Sequence, residues 1–369
     1  MKKVLAFILT AALLASLVGC GGGGEPTLVE TAGPTPVETV EPTPVATAEP
    51  TPVEERTVIE DGRARPSNAG RLQVKNGKLS DEEGQPVMLR GVSFNGLITS
   101  ESFLNEQLFQ ELSRDDGVNL VRLAMYTYGM GIVGYCTKGD KDRHKADIHK
   151  GVELAKANDM YVLIDWHILS DGDPNTYIDD AKAFFAEMAE KYSGYDNVIY
   201  EICNEPNRVD WAAVKRYAEE VIPIIREKDP RALIVVGNPD WSKDLYSVAA
   251  DPLDYDNILY TLHFYAATHG QDFRDMTEEL SQQGLPIFVT EYGVTAASGG
   301  FPRDLESADL WIELLERENI SYCLWAFAKV SEACSTIRSN VPKYSGFVKE
   351  DYTDTGLWLL DTLAKHASR

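Results

Sequence analysis

The sequence predicts an α/β fold, a (β/α)8 TIM barrel, on three observations. Eight short apolar runs recur over roughly 240 residues, amphipathic helical stretches fill most of the gaps between them, and roughly three hundred residues from position 65 onward suit one barrel. The runs are nearly continuous rather than alternating, the pattern of strands covered on both faces in a parallel sheet.

Two segments precede the barrel. Residues 1–19 begin with Lys2 and Lys3 and continue through an apolar stretch too short to span a bilayer comfortably, closing on Leu17-Val18-Gly19-Cys20. This reads as a bacterial lipoprotein signal peptide with Cys20 as the lipidated N-terminus; the plain alternative is a secretory signal with an incidental cysteine. Residues 20–64 hold four glycines and then a period-eight repeat, as in Pro34-Thr-Pro-Val-Glu38 and Pro50-Thr-Pro-Val-Glu54. Dense prolines remove backbone donors and the glutamates repel one another, so a disordered Pro/Thr/Glu-rich stalk is expected, or else a mucin-like extracellular tail. The chain is thus expected to be exported, and either lipid-anchored at a bacterial cell surface or released.

The barrel itself occupies 65–369. Its apolar runs fall at 87–92, 120–125, 161–165, 198–203, 232–236, 258–263, 286–290 and 321–326. Helices are predicted at 146–158, 179–192, 211–227, 272–283 and 304–318, with shorter ones near 106–114 after the first run and 241–250 after the fifth. A formal net charge of −23 argues against nucleic acid and against docking on anionic lipid, and leaves a neutral polymer as an acceptable partner. Apart from Cys20, the cysteines are Cys136, Cys203, Cys323 and Cys334, and none of their spacings suits a metal. Cys203 and Cys323 sit in predicted strands as small apolar residues; a Cys136–Cys334 bridge is left open.

In a barrel of this kind the active site lies at the carboxyl ends of the strands. Polar and aromatic residues cluster there: Asn95, Tyr126 and Tyr128, Asp165-Trp-His167, Asn204-Glu205, Trp241, His263-Phe-Tyr265, Glu291-Tyr292 and Trp325. Two glutamates, each closing its own strand, are what hydrolysis of a glycosidic bond with retention needs, one as acid and base and one as nucleophile, about 5–5.5 Å apart. Glu205 is assigned as acid/base, its pKa raised by like charge and partial burial, and Glu291 as nucleophile. Asn204 is suited to a sugar 2-hydroxyl. Arg122 and Tyr265 are placed to orient Glu291, and His167 and His263 to contact substrate or order the carboxylates. Glu201 shares the side-chain parity of Glu205, but four residues of strand put it about 13 Å deeper, where it is expected to pair with Arg90 or Arg122. His144, His149, His269 and His366 are read as structural. Trp241 and Trp325 offer flat faces to pyranose rings, whereas Trp166 also suits packing beneath the site.

The segments Leu89-Arg-Gly91, Val121-Arg-Leu-Ala-Met-Tyr126, Ile164-Asp-Trp-His-Ile-Leu-Ser-Asp171, Val198-Ile-Tyr-Glu-Ile-Cys-Asn-Glu-Pro206, His263-Phe-Tyr-Ala-Ala-Thr-His-Gly270 and Phe288-Val-Thr-Glu-Tyr-Gly293 resemble glycoside hydrolase family 5, within it the bacterial endo-β-1,4-glucanases of subfamily 2. The resemblance implies a metal-free, cofactor-free retaining mechanism, with catalysis at Glu205 and Glu291 and sugar binding at Arg122, His167, Asn204, His263, Tyr265 and Trp325. Two departures concern substrate. Asn95-Gly-Leu-Ile-Thr99 stands where such enzymes carry His-Gly-Leu-Gln-Trp, and Lys329 is one position off the usual lysine, while Glu332 keeps the usual glutamate spacing.

The expected function is therefore that of an endo-β-1,4-glucanase cutting soluble or amorphous glucan, as a monomer that meets the membrane only through its lipid. The alternatives are another β-glycan hydrolase (a mannanase, xyloglucanase or mixed-linkage glucanase) and a non-catalytic glycan-binding lipoprotein, which has no use for two facing carboxylates.

Overall fold

In the computed structural model, which describes residues 62–128 and 133–366, eight parallel strands close into a ring. A short helix, α1 (Pro66–Ala69), and a two-stranded hairpin, β1 (Gln73–Lys75) with β2 (Lys78–Ser80), come first. The barrel strands are β3 (Arg90–Phe94), β4 (Leu120–Tyr126), β5 (Tyr161–His167), β6 (Val198–Glu201), β7 (Leu233–Val236), β8 (Ile258–Tyr265), β9 (Ile287–Gly293) and β10 (Tyr322–Phe327), with β10 pairing back to β3. Each predicted run is represented, with shifted ends. The first strand starts later than expected, and β8 and β9 run on through Tyr265 and Glu291, whereas β6 stops at Glu201.

The helical layer comprises α2 (Glu106–Gln110), α3 (Lys141–Ala157), α4 (Ile178–Tyr192), α5 (Trp211–Lys228), the four-residue turn α6 (Pro239–Ser242), α7 (Leu245–Ala250), α8 (Gln271–Gln282), α9 (Leu305–Arg317) and α10 (Asp354–Lys365). Side-chain caps fix several starts: Asp140 accepts from Asp142 N and Arg143 N, Asp210 from Ala213 N, and Thr353 from Gly356 N. Helix α10, which completes the eighth unit, and the leading α1 and hairpin are elements that the apolar runs did not reveal.

Two buried layers follow from strand alternation. Outward residues such as Trp166, Phe264 and Tyr292 join the core against the helices; Phe264 stacks on Trp311 at 3.8 Å. Inward residues Leu120, Tyr161, Leu163, Ile199, Leu233, Val235, Leu259 and Phe288 fill the lower barrel, and Ala69, Leu72 and Leu79 of the leading elements close its amino-terminal end. Above this apolar floor the interior turns polar.

The signal peptide, the lipidation residue Cys20 and most of the stalk lie outside the described residues. Among the described residues, Cys136, Cys203, Cys323 and Cys334 are free, so no Cys136–Cys334 bridge forms.

Candidate active site

At the floor of the upper barrel, the guanidinium of Arg122 on β4 is wholly buried and meets three carboxylates. Its Nε donates to Glu201 at 2.7 Å, and its terminal nitrogens reach Asp165 and Glu291, each at 2.9 Å. It also donates to Asn204 Oδ1 at 2.6 Å. Burying one cation among three anions is tolerable only with hydrogen bonds to the remaining oxygens. Thr290 supplies one to Glu201 at 2.6 Å and Tyr265 one to Glu291 at 2.7 Å. Tyr265 can approach because β9 has a glycine beside it: a Cβ on Gly293 would lie 2.5 Å from the tyrosine ring.

Arg90 has another partner: it grips Glu316 through two 2.7 Å bonds, so Glu201 pairs with Arg122 alone. Nor is Glu201 remote from the chemistry. Its Oε1 lies 3.9 Å from His263 Nε2, because the arginine and histidine side chains cross the depth that strand rise alone had suggested.

Glu205, four residues beyond the end of β6, accepts or donates a 2.9 Å hydrogen bond with His263 Nδ1. Atoms of Glu205, His263 and Glu291 all lie within 4.8 Å of one another, which puts the two carboxyl groups at the spacing of a retaining pair. Such spacing also suits a cation, but His263 already bonds Glu205 and the Arg122 guanidinium already sits on Glu291, so the trio is arranged for proton transfer. Burial pushes the Glu205 carboxyl up to about 8, with Arg122 and Lys243 opposing and Asp165 and Glu201 adding. Burial is therefore the main cause, ahead of the like charge expected from the sequence. Burial also pushes His263 down to about 4 and His167 to about 3, so both imidazoles are neutral near pH 7. Neutral His167 directs Nδ1–H to Asp165 at 2.6 Å and is flanked by Tyr126 and by Trp325, whose ring stacks at 5.3 Å and 9°.

Over this floor opens a cleft of about 500 Å³. Of the residues expected from the sequence, Asn95, Tyr126, His167, Glu205, Trp241, His263, Tyr265, Glu291, Trp325 and Glu332 line it. Arg122 and Asn204 lie behind its wall, fully buried; the amide nitrogen of Asn204 donates to Ile168 O at 3.0 Å. Trp166 packs outward on Phe184 and Phe185. Lys243 and the loop 297–299 also line the cleft and carried no sequence signal, and neither did His269, read as structural. Its Nδ1 accepts from Tyr265 N at 2.9 Å, so it also holds the β8 end. Lys329 turns to the ring of Tyr344, 3.6 Å away, and does not line the cleft.

Trp241 is presented by backbone shape. Asp240, Trp241 and Ser242 are all left-handed, with φ of 57°, 58° and 57°. Such residues are individually costly. They are held by Trp241 N donating to Pro206 O at 3.0 Å and Ser242 Oγ to Asn204 O at 2.6 Å, and the indole is left 44 % exposed.

Paired glutamates at strand ends of a closed (β/α)8 barrel, over a cleft walled by tryptophan, tyrosine and histidine, define a glycosidase-type site. Residues 80–331 match the family model "Cellulase (glycosyl hydrolase family 5)", and the chain belongs to that family. It is 42 % identical over 300 residues to endoglucanase A of Butyrivibrio fibrisolvens, covering 80 % of this chain and 69 % of that protein. It is also 42 % identical over 298 residues to an endoglucanase of Clostridium saccharobutylicum, covering 80 % and 65 %. The chain thus spans about two thirds of the length of these relatives. Among solved structures, the catalytic domain of Thermobifida fusca endoglucanase Cel5A, in complex with cellotetraose, superposes with a TM-score of 0.77 at 34 % identity, covering 82 % of this chain and all of that domain.

Proposed function

We propose that this protein is a retaining endo-β-1,4-glucanase. The observation that carries the reading is the pair Glu205 and Glu291, less than 5 Å apart at their nearest atoms, one raised to about 8 and the other held by Arg122 and Tyr265. Near neutral pH this supplies one carboxylic acid, Glu205, beside a second carboxyl group that a buried guanidinium and a tyrosine hydroxyl hold in place. In the first step a Glu291 oxygen bonds to the anomeric carbon as the glycosidic C–O bond breaks, and Glu205 passes its proton to the departing oxygen. In the second, Glu205, now a carboxylate, takes a proton from water while the water oxygen displaces Glu291, restoring both groups with net retention. The open cleft walls, with Trp241 and Trp325 as ring platforms, suit attack within a glucan chain. The endoglucanase names of the relatives support β-1,4-glucan as the substrate.

The changed 95–99 segment favours a second specificity within the same chemistry: an enzyme without a tryptophan there has less grip on a distal glucose and more room for decorated or mixed-linkage chains. One experiment separates these readings. The domain from residue 65 is assayed on carboxymethylcellulose, barley β-glucan, xyloglucan and glucomannan, with Glu205→Gln as control. Rapid viscosity loss on carboxymethylcellulose that the variant lacks supports the glucanase; cleavage of another polymer alone moves the specificity; cleavage of none restores the glycan-binding reading. On sequence grounds we further propose a monomer anchored to the cell surface through Cys20. Detergent-phase partitioning of the full chain, lost in Cys20→Ala, and a monomeric mass for the domain in sedimentation are the expected results.

A further inference from the structure

We propose that Phe301 is a specificity residue, a ring platform for a glucose unit lying beyond the Glu332 end of the cleft. The inference deepens the glucanase reading above and rests on it for the choice of ligand. Among the described residues no large apolar side chain is more exposed than Phe301, at 73 %. A solitary exposed apolar residue is ordinary on a protein surface. What sets Phe301 apart is how firmly it is held. The guanidinium carbon of Arg303 lies 4.7 Å from the centre of its ring. That guanidinium is itself fixed, its Nε donating to Ala333 O at 3.1 Å and to Thr355 Oγ1 at 3.0 Å, with Asp354 3.5 Å from Nη1. A planar guanidinium stacks well on an aromatic face. One face of the ring therefore rests on a support anchored at the start of α10, and the exposure belongs to the other.

The segment that carries the ring is pinned as well. Between β9 and α9 the chain turns back on itself: Ala296 N donates to Gly300 O at 3.2 Å and to Pro302 O at 3.0 Å, and Asp304 N to Val294 O at 2.8 Å. Neighbouring loops hold it from both sides, Thr268 Oγ1 accepting from Ala297 N at 2.9 Å and Gly299 O from Cys334 N at 3.1 Å. A platform ordered before its ligand arrives loses little further freedom on binding. Its position follows from the same contacts. Ala297, Ser298 and Gly299 line the cleft, and a Cβ on Gly299 would stand 3.7 Å from Glu332 Oε2, so Phe301, two residues on, continues the wall at the Glu332 end. Strand β10, which leads to Glu332, is four places from β6 in the eight-stranded ring, so this end lies across the mouth from Glu205 and the sugar that departs beside it. The occupant is thus on the non-reducing side of the bond to be broken. Asn95-Gly-Leu-Ile-Thr99, which follows the adjoining strand β3, offers that side no aromatic ring. A β-linked glucose suits the place, because its hydroxyls are equatorial and leave a flat face of C–H groups to pack on the negative face of an aromatic ring.

The test uses nitrophenyl β-glycosides of cellobiose, cellotriose and cellotetraose, in which the nitrophenyl group takes the leaving-group side and each added glucose extends the non-reducing side. In the wild type, kcat/KM for nitrophenol release should rise with length. In Phe301→Ala the ratio of kcat/KM for the tetraoside to that for the bioside should fall about 2- to 10-fold, the loss of one ring contact. Phe301→Trp should restore the ratio, and Phe301→Leu, apolar but not flat, should not. A ratio unmoved in Phe301→Ala, or equally restored by leucine, overturns the proposal. A side chain that merely stiffened the loop would change all the substrates alike and leave the ratio where it was. The same contact is read without turnover by calorimetry of cellohexaose binding to Glu291→Gln, in which adding Phe301→Ala should weaken affinity about 2- to 10-fold. If glucan is hydrolysed and neither ratio nor affinity moves, the platform fails and the glucanase stands. If cellohexaose affinity falls with Phe301→Ala while the wild type cleaves no glucan, the platform stands and the hydrolase reading fails; absence of any cellohexaose binding sinks both.

Discussion

Arg122→Met removes a charge and little volume, from a place where solvent cannot replace what is lost. The methionine keeps the flexible apolar stem. It leaves Glu201, Asp165 and Glu291 without the cation that now sits 2.7, 2.9 and 2.9 Å from them. Removing one partner of a buried ion pair costs about 3–5 kcal/mol, and with three carboxylates stranded the upper end applies. That is a large part of the ~5–15 kcal/mol that keeps a domain folded. At about 2 °C per kcal/mol for a chain of this size, Tm should fall by about 10 °C at pH 8. The deficit should also depend on pH. Asp165 is already raised to about 7 and Glu201 is raised above its ordinary value, both by burial, and Arg122 is what opposes the rise in each. Without it both go higher, so the folded variant binds protons that the unfolded chain, with carboxyls near 4, does not. Stability conferred by those protons is present at low pH and lost as pH climbs through the raised values. The gap between wild type and variant should therefore be small at pH 5 and widen toward pH 8. Urea unfolding of both proteins at several pH values measures it; a gap that is constant with pH, or a variant as stable as wild type, refutes the reasoning.

Glu205→Gln should cost about 10²–10⁴-fold in kcat on unactivated glucan, the range of a general acid/base, and much less in the glycosylation of dinitrophenyl substrates, read in a burst experiment. With Glu205 at about 8, the acid form needed for the first step disappears as pH rises, so kcat/KM for cellooligosaccharides should decline through about pH 8; a free-enzyme alkaline limb near pH 6 contradicts the assignment. Trp241→Ala should raise KM about 2- to 10-fold with kcat little changed, the loss of one aromatic platform of about 0.5–1.5 kcal/mol, measured on soluble oligosaccharides of increasing length.

The sequence discloses the barrel because strands covered on both sides leave unbroken apolar runs, and it marks the proposed catalytic pair because Glu205 and Glu291 close two of them. Side-chain parity was harder to read at strand ends. Trp166, Phe264 and Tyr292 sit beside site residues in sequence, yet alternation turns them into the helical layer. Glu201 pairs with Arg122, one of the two partners expected, and the long side chains of Arg122 and His263 link it to the site residues above, a reach that strand rise along the backbone does not measure. Lys243 and the loop 297–299 reach the cleft through loop geometry that leaves no periodic trace. Helix α10 follows a long irregular connection after the last strand, out of step with the spacing of the other seven units.

The Glu205 and Glu291 carboxyls are tied to the barrel through one buried arginine and its partners, whereas Ala297–Gly299 and Glu332 stand on connecting segments, and Trp241 meets that network through the bond from its neighbour Ser242 to the backbone of Asn204. On the roles proposed above, reaction and much of the specificity are inherited on separate parts of the chain. A lineage, or a laboratory, can redraw which glucan the walls accept while the bond-breaking apparatus and the stability of the barrel stay as they were. The turn at Asp240–Ser242 marks where that freedom narrows: three left-handed residues in succession admit glycine and asparagine readily and β-branched residues hardly at all. Libraries that diversify the loop walls and spare this turn should be rich in folded proteins of altered taste for polysaccharide.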